Sequence, residues 1–592
     1  MLQSAKQSKH CYQLTGGGDK FQAALTIEVP EEGIELVHIS VTAKQPETPP
    51  VLRLSWEQPI MDIQGAWHPN GNRNRGLMPD FVNGGYPSKS TSSAPVVCLF
   101  NGASRNRLTF ALSDTLNPVV CKAGVHEETA MFHCSVTLFE EPTSPFENYE
   151  ATLRVDVRNL AYYDSLHDVQ KWWSGLTGLT PSPVPAPARE PMYSTWYSLH
   201  QSINPEAIEE QCRLAKDLGC ETIIVDDGWQ TSDNARGYAF CGDWEVCADK
   251  IPDMKVHVER VHSLGMKYML WYSVPYVGRH SKAWDRFSDK MLYTIDSRGY
   301  GVVDPRYPEV REYLIGLYET AMREWNLDGF KLDFVDSFYL PEEKKHDAGR
   351  GRDYVSVPEA VDRLMSDIMD RLRSINPSVM IEFRQSYVGP YMRKYGNMFR
   401  AADCPNDAIE NRVRTIDIRL LCGDTAAHSD MLMWHPEEPV ESAALQLINV
   451  LFAVPQLSVL LERLPVEHVK MTAFWLAFWN EHRSVLLDGR LEPHNPELLY
   501  PLVLASNMDK LIAAVYYRTV VTFDRDLPET IILVNGTRSD GVILELDRDG
   551  GSRTLEIKDC MGNVVEQSLF QMKEGVHSLP VPPAGVATLT GV

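Results

Sequence analysis

Between residues 190 and 465 the sequence alternates short apolar runs with amphipathic stretches eight times over, a count that few architectures can accommodate. The apolar runs fall at 193–199, 222–226, 268–274, 330–335, 379–383, 398–402, 426–431 and 456–461. Such continuous apolar runs suit strands covered on both faces. The gaps hold stretches such as 205–218 and 308–325, whose apolar residues recur at intervals of three and four, as on one face of a helix. Strand and helix in strict alternation imply a parallel sheet, and eight strands close it into a TIM (β/α)8 barrel. A doubly wound open sheet is the alternative, but no Gly-rich phosphate loop follows the first strand.

The flanks have a different rhythm. Runs at 21–27, 37–41 and 151–157 alternate or cluster apolar residues between Gly, Pro and Asn, which predicts an N-terminal β-sandwich over 1–165. Proline recurs at 181, 183, 185 and 187, so 166–190 reads as a stiff linker to a barrel domain at 191–490. Strand-like runs at 511–517 and 530–534 predict a C-terminal antiparallel β-sandwich over 491–592.

Lys plus Arg is 57 and Asp plus Glu is 80, so the net charge is −23. That balance argues against nucleic acid and anionic membrane surfaces as partners. No apolar run is long enough to span a bilayer, and residues 1–6 lead into polar sequence rather than a signal core. Eleven cysteines without paired spacing suit a reducing compartment, so a cytoplasmic location is expected. Neither Cys241 and Cys247 nor His428 and His435 complete a zinc-ligand pattern, and neither metal nor cofactor is expected.

In a barrel of this kind the chemistry collects where strands end at their C-terminal side. Lys331 and Asp333 lie two apart on the fourth strand and point the same way, as a buried ion pair or as a working ammonium and carboxylate. The second strand runs into Asp226-Asp227-Gly228-Trp229, two carboxylates, a turn glycine and an indole; the alternative is a helix N-cap aspartate with its neighbour solvated. Strand five supplies Glu382 and Arg384, and strand six Arg400 and Asp403, the latter before a turn at Pro405. Two carboxylates on neighbouring sectors of one mouth are what glycoside hydrolysis needs. Lys331 is expected to keep Asp333 ionised as nucleophile, while Asp407 raises Asp403 and Arg400 opposes it. Trp196 and Trp271 are candidate pocket walls, with core packing as the alternative for each. His428-Ser429-Asp430 does not make a catalytic triad, since adjacent strand residues point apart.

This constellation resembles the retaining melibiase-type α-galactosidases of glycoside hydrolase family thirty-six. Asp226-Asp227-Gly228-Trp229 resembles the family signature whose aspartates bind the 4- and 6-hydroxyls of galactose, and Gly242-Asp243-Trp244 with Lys250-Ile251-Pro252 is also similar to a family element. Lys331-Leu332-Asp333 is similar to the family's Lys-Trp-Asp, which implies Asp333 as nucleophile and Lys331 as a sugar ligand. Asp403-Cys404-Pro405-Asn406-Asp407 resembles Ser-Asp-Asn-Thr-Asp, which implies Asp403 as acid/base. Asp226, Asp227, Lys331, Arg384, Arg400, Trp271, Trp196 and Trp229 are then the expected substrate-binding set. The family's Cys-Ser-Gly-Gly-Gly loop after strand five is replaced by Arg384-Gln385-Ser386-Tyr387-Val388-Gly389-Pro390, and Leu332 for Trp is expected to remove one wall of the subsite. The resemblance implies hydrolysis of small oligosaccharides, with an N-acetylgalactosaminide, another α-glycoside or transglycosylation as alternatives and homo-oligomerisation left open. A carbohydrate-binding protein without catalysis is the alternative from another class.

Overall fold

The computed structural model describes residues 8–341, 343 and 349–591. Residues 1–6, on which the expectation about a signal segment rests, lie outside that range.

Eight strands form one parallel sheet: β1 (Met192–Ser194), β2 (Thr222–Val225), β3 (Lys267–Ser273), β4 (Gly329–Asp333), β5 (Met380–Arg384), β6 (Met398–Arg400), β7 (Ala426–His428) and β8 (Gln456–Leu457). They pair in the order β7-β6-β5-β4-β3-β2-β1-β8. Between β7 and β8 the seam is bridged at His428 and Val454, where Val454 N–H donates to Ala427 O at 2.8 Å. Each of the eight apolar runs overlaps one of these strands, and the TIM-type barrel is the observed fold. In register, Lys331 lies beside Trp271 on one side and Glu382 on the other, and Asp333 lies beside Ser273.

The expected linker region is not a free strap. It begins with helix α1 (Tyr162–Ser174), whose Tyr162, Leu166, Val169 and Trp173 are buried. Those residues recur at helical spacing, a signal that the prolines further on overshadowed. Trp173 Nε1 donates to Leu112 O at 2.8 Å, and Asn397 Nδ2 reaches Pro183 O at 3.2 Å, so the segment is packed along its length. Around the barrel, α2 (Pro205–Asp217) starts on Asn204, which accepts from Ala207 N–H, with proline in the first turn. Helix α3 (Pro308–Trp325) covers β3 and β4, and α4 (Ala408–Leu421) follows β6.

The N-terminal region packs a five-stranded against a six-stranded antiparallel sheet around one apolar core. The C-terminal region holds a seven-stranded sheet, largely antiparallel, and a three-stranded one. A further small sheet, Tyr276–Gly278, Met291–Ile295 and Tyr300–Val303, inserts after β3 and stands beside the mouth of the barrel.

Candidate active site

Strand β4 ends on Asp333, and the next residue turns sharply. Phe334 has φ 62°, a left-handed conformation that a bulky side chain enters only under constraint. The turn swings the Phe334 N–H back onto Asp333 Oδ1 at 2.8 Å. The same oxygen accepts from Arg384 Nε at 2.8 Å and Tyr387 Oη at 2.5 Å, while Oδ2 accepts from Trp271 Nε1 at 3.0 Å. Burial alone would raise this carboxyl. Arg384 first, then Lys331 and the Tyr387 and Trp271 hydrogen bonds, outweigh burial and hold it well below the usual carboxylate range.

Lys331 shares that face of β4, as two-residue spacing requires, but its direct partner is Asp226, with Nζ to Oδ2 at 2.5 Å. The structure therefore corrects the expected Lys331–Asp333 pairing: the contacting cation is Arg384, and Lys331 acts on Asp333 through space. The reason is register. β2 ends where the long Lys331 stem can reach across β3, whereas Arg384 at the end of β5 stands level with the end of β4.

Asp226 is fixed from its other side, its N–H donating to Thr195 Oγ1 at 3.0 Å. Asp227 sits in a turn rather than at a helix start. Gln201 Nε2 donates to its Oδ2 and Gln230 Nε2 to its Oδ1, each at 2.7 Å. Burial raises Asp227 to about 6; the Gln230 bond opposes this and the Asp226 charge adds to it. Gly228 follows with φ 117°, and a Cβ there would lie 2.8 Å from Gln201 Cα, so only glycine makes the turn.

Asp403 lies in the loop after β6 with its side chain half-exposed, the most open carboxylate of the group. Burial pushes it up, but Arg400, Lys331 and Arg384 together bring it below the ordinary value, while Asp333 pushes it back up. The like charge that acts on Asp403 is thus Asp333 rather than the expected Asp407. Asp407 caps α4 through Glu410 N–H and pairs with Arg73 at 2.5 Å, which takes it out of the site.

Arg400 has a different place from the one expected of a sugar ligand. Its side chain is 1% exposed and serves three carboxylates: Asp403 at 2.9 Å, Glu382 at 3.6 Å, and Asp430 in close contact. It positions Asp403 from beneath. Asp430 assists by accepting from Cys404 N–H at 2.6 Å and Tyr197 Oη at 2.9 Å. Trp229 is fully buried, donates to Trp271 O and packs on Trp244, Tyr272 and Trp325, so it belongs to the core. Trp271 is almost covered and spends its N–H on Asp333. Trp196 remains partly open and packs on His200, the rings tilted by 31° with centroids 3.8 Å apart. Leu332 points the other way from Lys331 and Asp333 and is fully buried in the core, so its presence takes no wall from the pocket. His428 is buried, donates from Nε2 to Ala188 O at 2.8 Å, and is pushed down to about 4 by burial, in keeping with the rejected triad.

Further aromatic surface beside Asp333 comes from residues that the strand ends do not reveal. Phe334 stacks on Tyr276 at 4.6 Å, and Tyr238 packs on Phe334 and Tyr276, both at 5.2 Å, through the inserted sheet and the loop after β2. Tyr387, Gln201, Gln230 and Asp430 were also missed. The first three are polar loop residues that converge only in space, and Asp430 was set aside along with its neighbours.

A (β/α)8 barrel whose strand ends carry paired, differently buried carboxylates with polar side chains around them has the arrangement that glycoside hydrolysis uses. Residues 186–421, which contain most of the barrel, match the family model described as Melibiase. The chain is 26% identical over 216 residues to α-galactosidase 2 of Pediococcus pentosaceus, covering 34% of this chain. That match spans only 28% of the relative's own length. Solved structures align over nearly the whole chain: α-galactosidase of Lactobacillus brevis with a TM-score of 0.63 at 15% identity, covering 98% of this chain and 85% of that one. The family 36 α-galactosidase AgaA of Geobacillus stearothermophilus gives the same TM-score and identity, covering 98% and 87%. At such identities the structural likeness speaks for the fold.

Proposed function

We propose that this protein is a retaining, exo-acting α-galactosidase that removes terminal α-galactosyl units from small oligosaccharides. The observation that carries this reading is Asp333 itself, a carboxylate kept ionised by four donors at the end of β4, with the partly open Asp403 near enough to feel its charge. Variants of the Geobacillus stearothermophilus relative have been crystallised with raffinose and with stachyose, which supports an oligosaccharide substrate here.

In the proposed mechanism an Asp333 oxygen attacks the anomeric carbon as the bond to the leaving oxygen breaks, and Asp403 gives that oxygen its proton. Asp403, now a carboxylate, takes a proton from water; the water oxygen displaces Asp333 from the anomeric carbon, and the configuration is retained. Asp226, Asp227 and Lys331 take sugar hydroxyls. In the unliganded site the cations hold Asp403 ionised, the wrong state for an acid. A sugar seated over its exposed carboxylate would strip its water and favour the proton.

Arg384 stands at the start of the loop that replaces the family's usual one. Because it is committed to Asp333 and lies over Phe334 and Tyr387, its charge is already answered, which disfavours an acidic sugar. The altered loop makes α-N-acetylgalactosaminidase activity the second reading. Hydrolysis of an aryl α-galactoside is expected to exceed that of its 2-acetamido analogue in kcat/KM; the reverse order would establish the second reading, and no turnover of either would remove both.

A further inference from the structure

A cluster of imidazole and carboxylate groups lies well outside the barrel, on the outer face of the five-stranded sheet of the N-terminal sandwich. The strands Val119–His126 and Met131–Leu138 pair antiparallel, with Met131 opposite His126 and His133 opposite Gly124. Alternation sends Phe132, Cys134 and Val136 into the sandwich core and His133 outward, on the side that also carries His126. The two rings are diagonal neighbours, stacked with centroids 4.1 Å apart and planes 23° from parallel.

Asp80 completes the group from a separate segment. Its backbone pairs with the strand, N–H to Val125 O at 2.9 Å, and its own carbonyl accepts from Lys122 Nζ at 2.5 Å. It can lie so close only because position 124 is glycine: a Cβ there would sit 2.5 Å from Asp80 Cα. This seat brings Asp80 Oδ2 within 2.8 Å of His133 Nδ1. One ligand atom from each of Asp80, His126 and His133 lies within 4.8 Å of the other two. Thr129 Oγ1 lies 2.9 Å from His126 Nδ1, the exposed Glu128 Oε2 3.3 Å from His126 Nε2, which it must yield to an ion, and Glu57 Oε1 3.6 Å from His133 Nε2. Metal-binding histidines are commonly oriented in this way.

We propose that Asp80, His126 and His133 form a site for a divalent transition ion of the zinc type. Two imidazole nitrogens and one carboxylate oxygen suit zinc rather than calcium or magnesium, which prefer oxygen alone. The three side chains are a fifth to a third exposed, open enough for an ion and a water ligand to enter. The ion draws the donors together, replaces the hydrogen bond between His133 and Asp80, and pins the Asp80 segment to the hairpin. The site is structural and separate from the barrel chemistry.

The test uses the full-length protein, stripped with chelator and dialysed, then titrated with zinc sulfate by calorimetry and with cobalt(II) followed by its visible absorption. One zinc ion per chain should bind with micromolar or tighter affinity, raise the thermal midpoint, and be displaced from a cobalt form showing nitrogen-ligand bands. His126→Gln and His133→Gln should each weaken binding by roughly 10-fold or more. Both variants should keep the metal-free thermal midpoint and metal-free glycoside hydrolysis of the parent. Wild-type protein that gives neither a stoichiometric zinc isotherm nor the cobalt bands overturns the site, whatever the variants do. Equal binding by parent and a double His126→Gln, His133→Gln variant overturns it as well.

Discussion

At the scale of single residues, opposite demands are met by different neighbours. Asp333 is kept ionised by Arg384, Lys331, Tyr387 and Trp271 against a burial that would neutralise it. Tyr387→Phe removes one charge-assisted hydrogen bond of the kind worth about 1.5–3 kcal/mol. It should lower kcat by roughly 10-fold or more with the fold intact, and raise the acid limb of the kcat profile toward higher pH. Asp227 gives a second test. Its carboxyl titrates at about 6, so sugar binding through the ionised form should fade as pH drops below that value, with kcat/KM falling on an acid limb near 6. Asp227→Asn should remove this limb and reduce kcat/KM throughout. Stability should move the other way. Because the folded value lies above the unfolded carboxylate value of about 3.9, this group's contribution to stability grows as pH falls from 6 toward 4 and is lost as pH rises through 6. Denaturant midpoints measured across pH 4 to 7 for parent and Asp227→Asn would show the difference. Asp403 should appear as an alkaline limb that lies higher in kcat than in kcat/KM, since only the complex covers its exposed carboxylate.

At the scale of elements, the barrel strands were legible because a buried parallel strand is a short apolar run, and runs such as 222–226 and 379–383 have no other economical use. Asp333 and Asp403 were legible because strand ends in such a barrel collect charge. The turn after β4 was not: nothing in Phe334 announces a left-handed residue, which the packing of its ring on Tyr276 and Tyr238 enforces. Nor could spacing reveal that Lys331 bridges to Asp226 and Arg400 is enclosed by carboxylates, since both depend on register between strands far apart in sequence. The turn after β2 was readable through its glycine. Gly228→Ala meets both a left-handed backbone and the Gln201 main chain, and should cost about 1–3 kcal/mol of stability. It should also raise KM more than it lowers kcat, because Asp227 and Gln201 shift together; chemical denaturation and steady-state kinetics on the same preparation would check both.

At the scale of the whole molecule, the β regions brace the barrel through buried charge. Asp417 on α4 accepts from Trp67 Nε1 at 2.9 Å, from Arg75 Nη2 at 2.6 and 2.7 Å, and from Tyr500 Oη at 2.6 Å. One carboxylate thus joins the N-terminal sandwich, a barrel helix and the segment leading into the C-terminal sheets. Asp417→Ala leaves Arg75 buried without its partner and should destabilise the protein by about 3–5 kcal/mol, seen as a lower thermal midpoint, while folded molecules retain their turnover. The sandwich also reaches the loop after β5, where Ser93 N–H donates to Ser386 O at 2.8 Å, so the altered loop is supported from outside the barrel. Long-range ties of this kind connect residues hundreds of positions apart, and no local pattern in the sequence marks them.

Asp333 as the covalent nucleophile is the claim on which the rest depends. The direct measurement is peptide mapping by mass spectrometry after the protein is inactivated with a fluorinated mechanism-based α-galactoside. A glycosyl adduct on the peptide carrying Asp333, absent from Asp333→Asn, which itself should lose activity by roughly 10⁴-fold or more, is the predicted result. An adduct on a different carboxylate, or near-normal turnover by Asp333→Asn, would contradict it.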